Sequence, residues 1–133
     1  MIKRCSRATY AALALASLAS PAMAEDASGR WRVAGSVSGV SFTLDCKFQQ
    51  TNQALSGVCV DTGISDKTIK VGRARTLTKG AVTGEAISWT YKSNKGPFVF
   101  DVNYSGVRKG DHAAGKIDVV GRTGTFTADH VAS

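Results

Sequence analysis

The stretch FTLDCKFQQTNQALSGVCVD, residues 42–61, carries an apolar side chain at every second position up to a polar tip. A period of two is typical of a β-strand that buries one face. The tip holds Asn52 and Gln53, polar residues of the kind that join two antiparallel strands. The stretch therefore predicts a β-hairpin with one buried face.

The two cysteines of this hairpin are predicted to form a disulfide. A turn at Asn52 and Gln53 places Cys46 directly opposite Cys59. In a non-hydrogen-bonded pair the two Cα atoms lie about 4.5 Å apart, which is at the short end of the disulfide range. A turn at Ser38 and Gly39 also places Trp31 opposite Cys46, so we expect the disulfide to face inward.

Three further hairpins are predicted in the same way, each with a two-residue turn. The turns are expected at Asn94 with Lys95, Lys109 with Gly110, and Gly121 with Arg122. The predicted pairs are Trp89 with Phe100, Tyr91 with Phe98, Tyr104 with Gly115, and Ile117 with Phe126. In every pair an apolar residue meets another, or an aromatic ring covers a glycine, and a one-residue slip would turn the apolar set toward water.

Two places fit this pattern poorly. Tyr104 cannot be a hydrogen-bonded partner on both sides, so one of the two connections around its strand is expected to exceed two residues. Near residues 68–76, Ile69 and Val71 share a face with Arg73 and Arg75, which predicts a β-bulge at Gly72.

About eight short strands follow one another in meander order. Such a meander closes best as an antiparallel up-and-down β-barrel, because closure removes the exposed strand edges. We predict an all-β barrel of this kind, with a two-sheet β-sandwich as the structural alternative.

The first 24 residues have the pattern of a secretory signal peptide. A basic start precedes a short alanine-rich apolar run, and Ala22 and Ala24 form an A-x-A cleavage pattern. The apolar run is too short to span a bilayer. We therefore expect residues 25–133 to form one domain that is not an integral membrane protein. We also expect this domain to be exported to the periplasm or secreted. An alanine-rich signal of this kind is typical of bacteria.

Removal of the signal peptide changes the charge and the cysteine count. Cleavage removes Lys3, Arg4 and Arg7 but no acidic residue, which lowers the net charge from +7 to +4. This mild charge does not favour nucleic-acid binding. Cys5 also leaves, and an even pair of cysteines in an oxidising compartment favours a disulfide.

The nine aromatic residues of residues 25–133 all fall on the inward side of the predicted barrel. They are Trp31, Phe42, Phe48, Trp89, Tyr91, Phe98, Phe100, Tyr104 and Phe126. No ring is left outside as a stacking platform for bases, which further argues against a nucleic-acid partner. An eight-stranded barrel is filled by side chains or holds one small ligand, so we expect a mostly filled interior with a modest pocket at one mouth.

The sequence GRW at residues 29–31 resembles the G-x-W that opens the first strand of calycin-type barrels, the lipocalins and avidins. The resemblance implies that Trp31 closes one end of the barrel. The segment ISWTY, which contains Trp89, is similar to a core strand of avidin. Avidins surround biotin with several tryptophans, whereas residues 25–133 contain only these two, so the resemblance does not extend to biotin.

Two acidic residues are predicted to face inward, and both have two interpretations. Asp61 falls opposite Leu44, and Glu85 falls opposite Tyr104 at the other end. An ionised group in an apolar interior is costly unless it is paired or solvated, so both carboxylates either lie at hydrated rims or anchor a ligand. The candidate ligand-binding residues are Asp61, Trp89, Tyr91 and Phe98.

No pattern in the chain favours catalysis, a metal or a cofactor. His112 and His130 each follow an aspartate and lack a further ligand at metal spacing. No G-x-S-x-G elbow is present. A basic stretch (Lys67, Lys70, Arg73, Arg75 and Lys79) is interpreted as a solvated face, with an acidic partner or a membrane surface as the alternative.

Three functions are consistent with these features. The first is a small exported, non-catalytic protein that holds a small, largely apolar ligand at one barrel mouth. The second is a protein-interaction module, such as an inhibitor of a secreted protease that uses the segment EDASG, residues 25–29, together with loops. The third is a catalytic barrel in which His112 or Asp61 converges with another polar group.

Overall fold

The computed structural model describes residues 26–132, and the predicted signal peptide lies outside these residues. The strands are β1 (Gly29–Val37), β2 (Val40–Thr51), β3 (Ala54–Ile64), β4 (Ala74–Thr83), β5 (Ala86–Lys95), β6 (Phe98–Lys109), β7 (His112–Val119) and β8 (Arg122–Val131). Each strand pairs antiparallel with its sequence neighbours, and β1 also pairs with β8, which closes the barrel. The predicted up-and-down barrel is confirmed, and the sandwich is excluded. No helix within residues 26–132 has the length and apolarity needed to cross a membrane.

The barrel has two different ends, which we call the mouth and the closed end. The mouth is formed by the loop of residues 65–73 and by the turns at Ser38 with Gly39, Gly96 with Pro97, and Val120 with Gly121. The closed end is formed by residues 26–28 and by the turns at Asn52 with Gln53, Gly84 with Glu85, and Gly110 with Asp111.

The first two hairpins have the predicted register. Trp31 lies opposite Cys46, Cys46 lies opposite Cys59, and Leu44 lies opposite Asp61. The disulfide is present, with a Cα–Cα distance of 4.0 Å, and both cysteines are buried. The prediction from the opening hairpin is therefore confirmed.

The registers predicted for the later hairpins are wrong. Trp89 pairs with Tyr104 instead of Phe100, and Ile117 pairs with Tyr104 and Gly124. Both connections that flank β6 are two-residue turns, so neither is lengthened as predicted. In each of these hairpins the cross-strand partner differs from the predicted one by an even number of residues. The same side chains therefore still face inward, and the predicted core face is retained.

Glycine conformation explains where these turns lie. Gly96 and Gly110 have φ values of 60° and 62° and occupy the first position of their turns, as a type II′ hairpin turn requires. Val120 and Gly121 have φ values of 50° and 77°, the two positive angles of a type I′ turn. A valine in the left-handed region is uncommon, which is why the sequence pattern places this turn one residue late.

The predicted bulge at Gly72 is also wrong. Gly72 lies in the loop of residues 65–73 with a φ of 89°, and β4 begins only at Ala74. The register of β4 instead shifts against β5 between Leu77 and Lys79. Because of this irregularity, odd-numbered residues face inward ahead of the shift and even-numbered residues face inward beyond it. Arg75 and Leu77 belong to the first group and Val82 to the second.

Trp31 lies at the closed end of the barrel. Its side chain is buried, and its Nε1 donates a hydrogen bond to the carbonyl oxygen of Ala27 at 2.9 Å. The Ala27 amide in turn donates to Oε1 of Gln50 at 2.8 Å. Because Ala27 is fully buried, residues 26–28 are fixed across this end of the barrel.

Candidate ligand site at the barrel mouth

A cavity of about 450 Å³ opens at the mouth of the barrel. Its apolar wall includes Phe42, Ile64, Tyr91, Phe98, Phe100 and Val102. Below it, the interior is filled down to the closed end by buried side chains that include Trp31, Phe48, Leu55, Ile87 and Trp89. The interior is therefore mostly packed, and one modest cavity remains at the mouth, as the aromatic content predicts.

An ion pair lies in the wall of this cavity. Nε and Nη2 of Arg75 donate hydrogen bonds of 3.2 and 2.9 Å to Oδ2 of Asp61. Only 8% of the Arg75 side chain and 16% of the Asp61 side chain are exposed. Pairing offsets the cost of holding either charge beside an apolar wall. The cavity therefore presents a neutral pair with a donor and an acceptor rather than a bare carboxylate.

Arg75 is a site residue that the sequence analysis misses. The prediction that it belongs to a solvated basic face is wrong, because its side chain points into the barrel and contacts Asp61. A signal lies within β4, where Arg75 stands two positions before the inward Leu77. An inward cation beside an apolar residue on one strand, with the inward acid Asp61 on the neighbouring strand, indicates a buried pair.

Two tyrosine hydroxyls form the second polar contact of the cavity. The Oη atoms of Tyr91 and Tyr104 lie 2.6 Å apart, so one hydroxyl donates to the other. Burial raises the pKa of both phenols above the ordinary value of 10.0. Both groups are therefore neutral hydrogen-bonding groups at physiological pH, and Tyr104 is a lining residue that the sequence analysis does not select.

Three of the four predicted ligand-binding residues line the cavity. Asp61 and Tyr91 lie in its wall, and Phe98 lies at its rim with 52% of its surface exposed. Trp89 does not line the cavity. Its ring is buried and stacks on Tyr104, with centroids 4.7 Å apart and planes 13° from parallel, so it supports the cavity wall from below.

The other predicted polar positions lie at the closed end. The prediction that Glu85 faces inward opposite Tyr104 is wrong, because Glu85 lies in an exposed turn and contacts Lys109 at 3.9 Å. His112 is exposed and contacts Asp129 at 2.8 Å. Within residues 26–132, no three His, Cys, Asp or Glu side chains cluster as metal ligands would.

The loop of residues 65–73 is ordered by its own hydrogen bonds. Oδ1 of Asp66 accepts from the amide of Thr68 at 3.0 Å and from its hydroxyl at 2.6 Å, which lowers the pKa of the Asp66 carboxyl. The Gly72 amide donates to the carbonyl oxygen of Asp61 at 2.8 Å. Oδ2 of Asp66 also lies 3.8 Å from Nζ of Lys95 on β5. The loop is thus attached to the strands on both sides of the cavity.

A second depression lies on the outer wall of the barrel. It is a broad, open groove of about 520 Å³ over β1, β2, β3 and β8, lined by small residues such as Ser36, Thr43 and Thr125. It lacks the enclosure and the ion pair of the mouth cavity. We therefore take the mouth cavity as the candidate site.

Comparison with known proteins identifies the architecture. No protein family matches the chain, and no curated protein matches it. Similar solved structures include the redesigned β-barrel mFAP1 bound to DFHBI, with 19% identity over 77% of this chain and 94% of that chain and a TM-score of 0.60. The redesigned barrel mFAP0, also bound to DFHBI, is 21% identical over 77% of this chain and 97% of that chain, with a TM-score of 0.57. At these identities the likeness shows a small β-barrel fold.

Proposed function

We propose that the protein binds a small, largely apolar ligand in the mouth cavity and does not transform it. The observation that carries this proposal is the concave cavity of about 450 Å³ that opens at the mouth above a filled core. Ligand sites are typically clefts of about 300–1,000 Å³ with mostly apolar walls and a few placed polar groups. The Asp61–Arg75 pair and the two tyrosine hydroxyls are polar groups of this kind.

The mFAP barrels support the proposal by analogy. Both are redesigned β-barrels bound to a small molecule, DFHBI. An eight-stranded barrel can enclose one small ligand. We infer the same use of the fold here.

We also propose that the protein works outside the cytoplasm. The signal-peptide pattern of residues 1–24 carries this proposal. The Cys46–Cys59 disulfide supports it, because disulfides persist in oxidising compartments.

The protein-interaction alternative has less support. It relies on residues 25–29 as a free inhibitory segment, but residues 26–28 are held across the closed end by hydrogen bonds to Gln50 and Trp31. Insertion of this segment into a protease would require these contacts to break first. The mouth cavity has no such requirement, which is why we favour the small-ligand function.

Titration with N-phenylnaphthylamine, a neutral fluorescent aromatic probe, tests the proposal. Ser93 lines the cavity, so Ser93→Trp should fill it and abolish the fluorescence increase. Ser105 lies on the outer face of the adjacent strand β6 and is exposed, so Ser105→Trp is the matched control and should bind like the wild type. Equal binding by all three proteins, or no binding by the wild type, would overturn the proposal.

A further inference from the structure

A second, smaller cleft lies beside the mouth cavity. Its volume is about 240 Å³, and it lies between the loop of residues 65–73 and the end of β5. Four cationic side chains line it, and no acidic side chain does: Lys70, Arg73, Arg75 and Lys95. Four like charges around one small cleft repel each other, and an anion placed among them would remove that repulsion.

The positive charge of this cleft is only partly balanced by neighbouring acids. Arg75 is paired with Asp61, and Lys95 lies 3.8 Å from Asp66. Nη1 of Arg73 donates to the neutral amide oxygen of Asn94 at 2.9 Å, which holds the guanidinium in place without cancelling its charge. Within residues 26–132, no ion pair or hydrogen bond engages the side chain of Lys70. Two uncompensated cations therefore face the cleft.

The cleft and the mouth cavity share part of their walls. Ile69, Arg75, Asn94 and Lys95 line both. The two spaces are therefore adjacent, and a molecule that extends past the shared side chains would have one end among the aromatic side chains and the other among the cations. An anionic group placed deeper in the cavity would approach the carboxylate of Asp61, whereas every charged side chain that lines the cleft is cationic.

We propose that the cleft is an anion subsite, and that the ligand of the mouth cavity is an amphipathic anion whose apolar body lies in the barrel and whose oxyanion head lies in the cleft. This inference rests on the proposed function, because it assigns the chemical class of the ligand to that same site. Carboxylate, sulfonate and phosphate heads share the required charge and hydrogen-bond acceptors.

A pair of probes that differ in one group tests this inference. Anilinonaphthalene sulfonate has the same aromatic body as N-phenylnaphthylamine with an added sulfonate, so the ratio of the two affinities isolates the effect of the anion. The wild-type protein should bind the sulfonate more tightly, and the preference should fall as salt is added. The neutral probe should show little dependence on salt.

Lys70→Gln and Arg73→Gln remove one cleft cation each. Each should weaken binding of the sulfonate about twofold to fivefold, the range for exposed ion pairs, and leave the neutral probe unchanged. Lys67→Gln is the matched control, because Lys67 is an exposed residue of the same loop that lines neither space. It makes the same change in net charge and should alter neither affinity.

The outcomes separate this inference from the proposed function. If the neutral probe fails to bind, both fail. If the neutral probe binds and the sulfonate shows no preference, or if Lys67→Gln weakens the sulfonate as much as Lys70→Gln does, the anion subsite is refuted while the ligand cavity stands. Inorganic phosphate at constant ionic strength should displace the sulfonate only weakly. Binding of free phosphate as tight as that of the sulfonate would show an independent phosphate site instead.

Discussion

Arg75 donates two hydrogen bonds to a single carboxylate oxygen of Asp61 in the wall of the mouth cavity. Removal of one partner of a buried pair leaves an uncompensated charge, which costs about 3–5 kcal/mol. Because Asp61 borders the cavity, we expect Asp61→Asn to lower the free energy of unfolding by about 2–3 kcal/mol. Urea unfolding measures this loss.

The exposed pair of Lys92 and Asp101 provides the control, since 59% and 51% of these side chains are exposed. Asp101→Asn should cost at most about 1 kcal/mol. The double variant with Asp61→Asn and Arg75→Gln should recover part of the loss, because no unpaired charge remains. If the loss of stability in the double variant equalled the sum of the losses in Asp61→Asn and Arg75→Gln alone, the two side chains would not stabilise the fold as a pair.

Sequence periodicity predicts the inward face of this barrel better than it predicts which residues lie opposite each other. Apolar alternation identifies the core side chains, and those remain inward when a hairpin register moves by an even step. The turn positions depend on single φ angles, such as those of Gly96 and Val120, which a hydrophobic pattern does not contain. For the same reason the inward direction of Trp89 is predicted correctly, whereas the residue opposite it on β6 is predicted wrongly.

The candidate site is predicted in part for a related reason. Asp61, Tyr91 and Phe98 line the cavity because their faces follow from alternation. Arg75 is missed because it follows a loop that breaks the alternation, so its direction depends on where β4 begins. The cationic cleft depends on the path of the loop of residues 65–73, which local periodicity does not specify.

The disulfide should stabilise the fold without contributing to the site. It joins residues 13 positions apart, and closing a loop of this length stabilises by about 3 kcal/mol. Cys59→Ser should lower the free energy of unfolding by about that amount under oxidising conditions and leave binding of N-phenylnaphthylamine intact. In reducing buffer the two proteins should be equally stable. Lost binding with unchanged stability would instead place the disulfide in the site.

Val120 should be a strained residue at the mouth. It has a φ of 50°, and a side-chain-bearing residue pays about 1–2 kcal/mol in the left-handed region. Asn tolerates this region better, so Val120→Asn should raise the free energy of unfolding by about 1 kcal/mol. Thermal unfolding measures the change.

The same substitution should weaken binding of the neutral probe, because Val120 lines the cavity. Val99→Asn is the control, since Val99 is equally exposed near the mouth and has no positive φ. It should give no gain in stability. A stabilisation of the same size at both positions would rule out strain at Val120 as the cause.

The tyrosine pair should make the fold sensitive to alkaline pH. Burial raises the pKa of Tyr91 and Tyr104 above the ordinary value of 10.0, so above that pH the unfolded chain loses protons that the folded chain keeps. Stability should therefore be independent of these groups below about pH 10 and should fall as the pH rises further.

Tyrosinate absorbance checks this expectation in the chain that lacks residues 1–24, where these are the only tyrosines. The folded protein should show no ionisation near pH 10, and tyrosinate should appear together with unfolding. Ionisation of either phenol near pH 10 in the folded state would contradict its burial.

Amide NMR of the protein titrated with N-phenylnaphthylamine tests the central claim, that the mouth cavity binds a small apolar ligand. We expect the largest saturable shifts at cavity residues such as Tyr91, Phe98 and Val120, and negligible shifts at the closed end near Trp31. No shifts at high probe concentration, or the largest shifts at the outer groove around Ser36 and Thr125, would contradict the account.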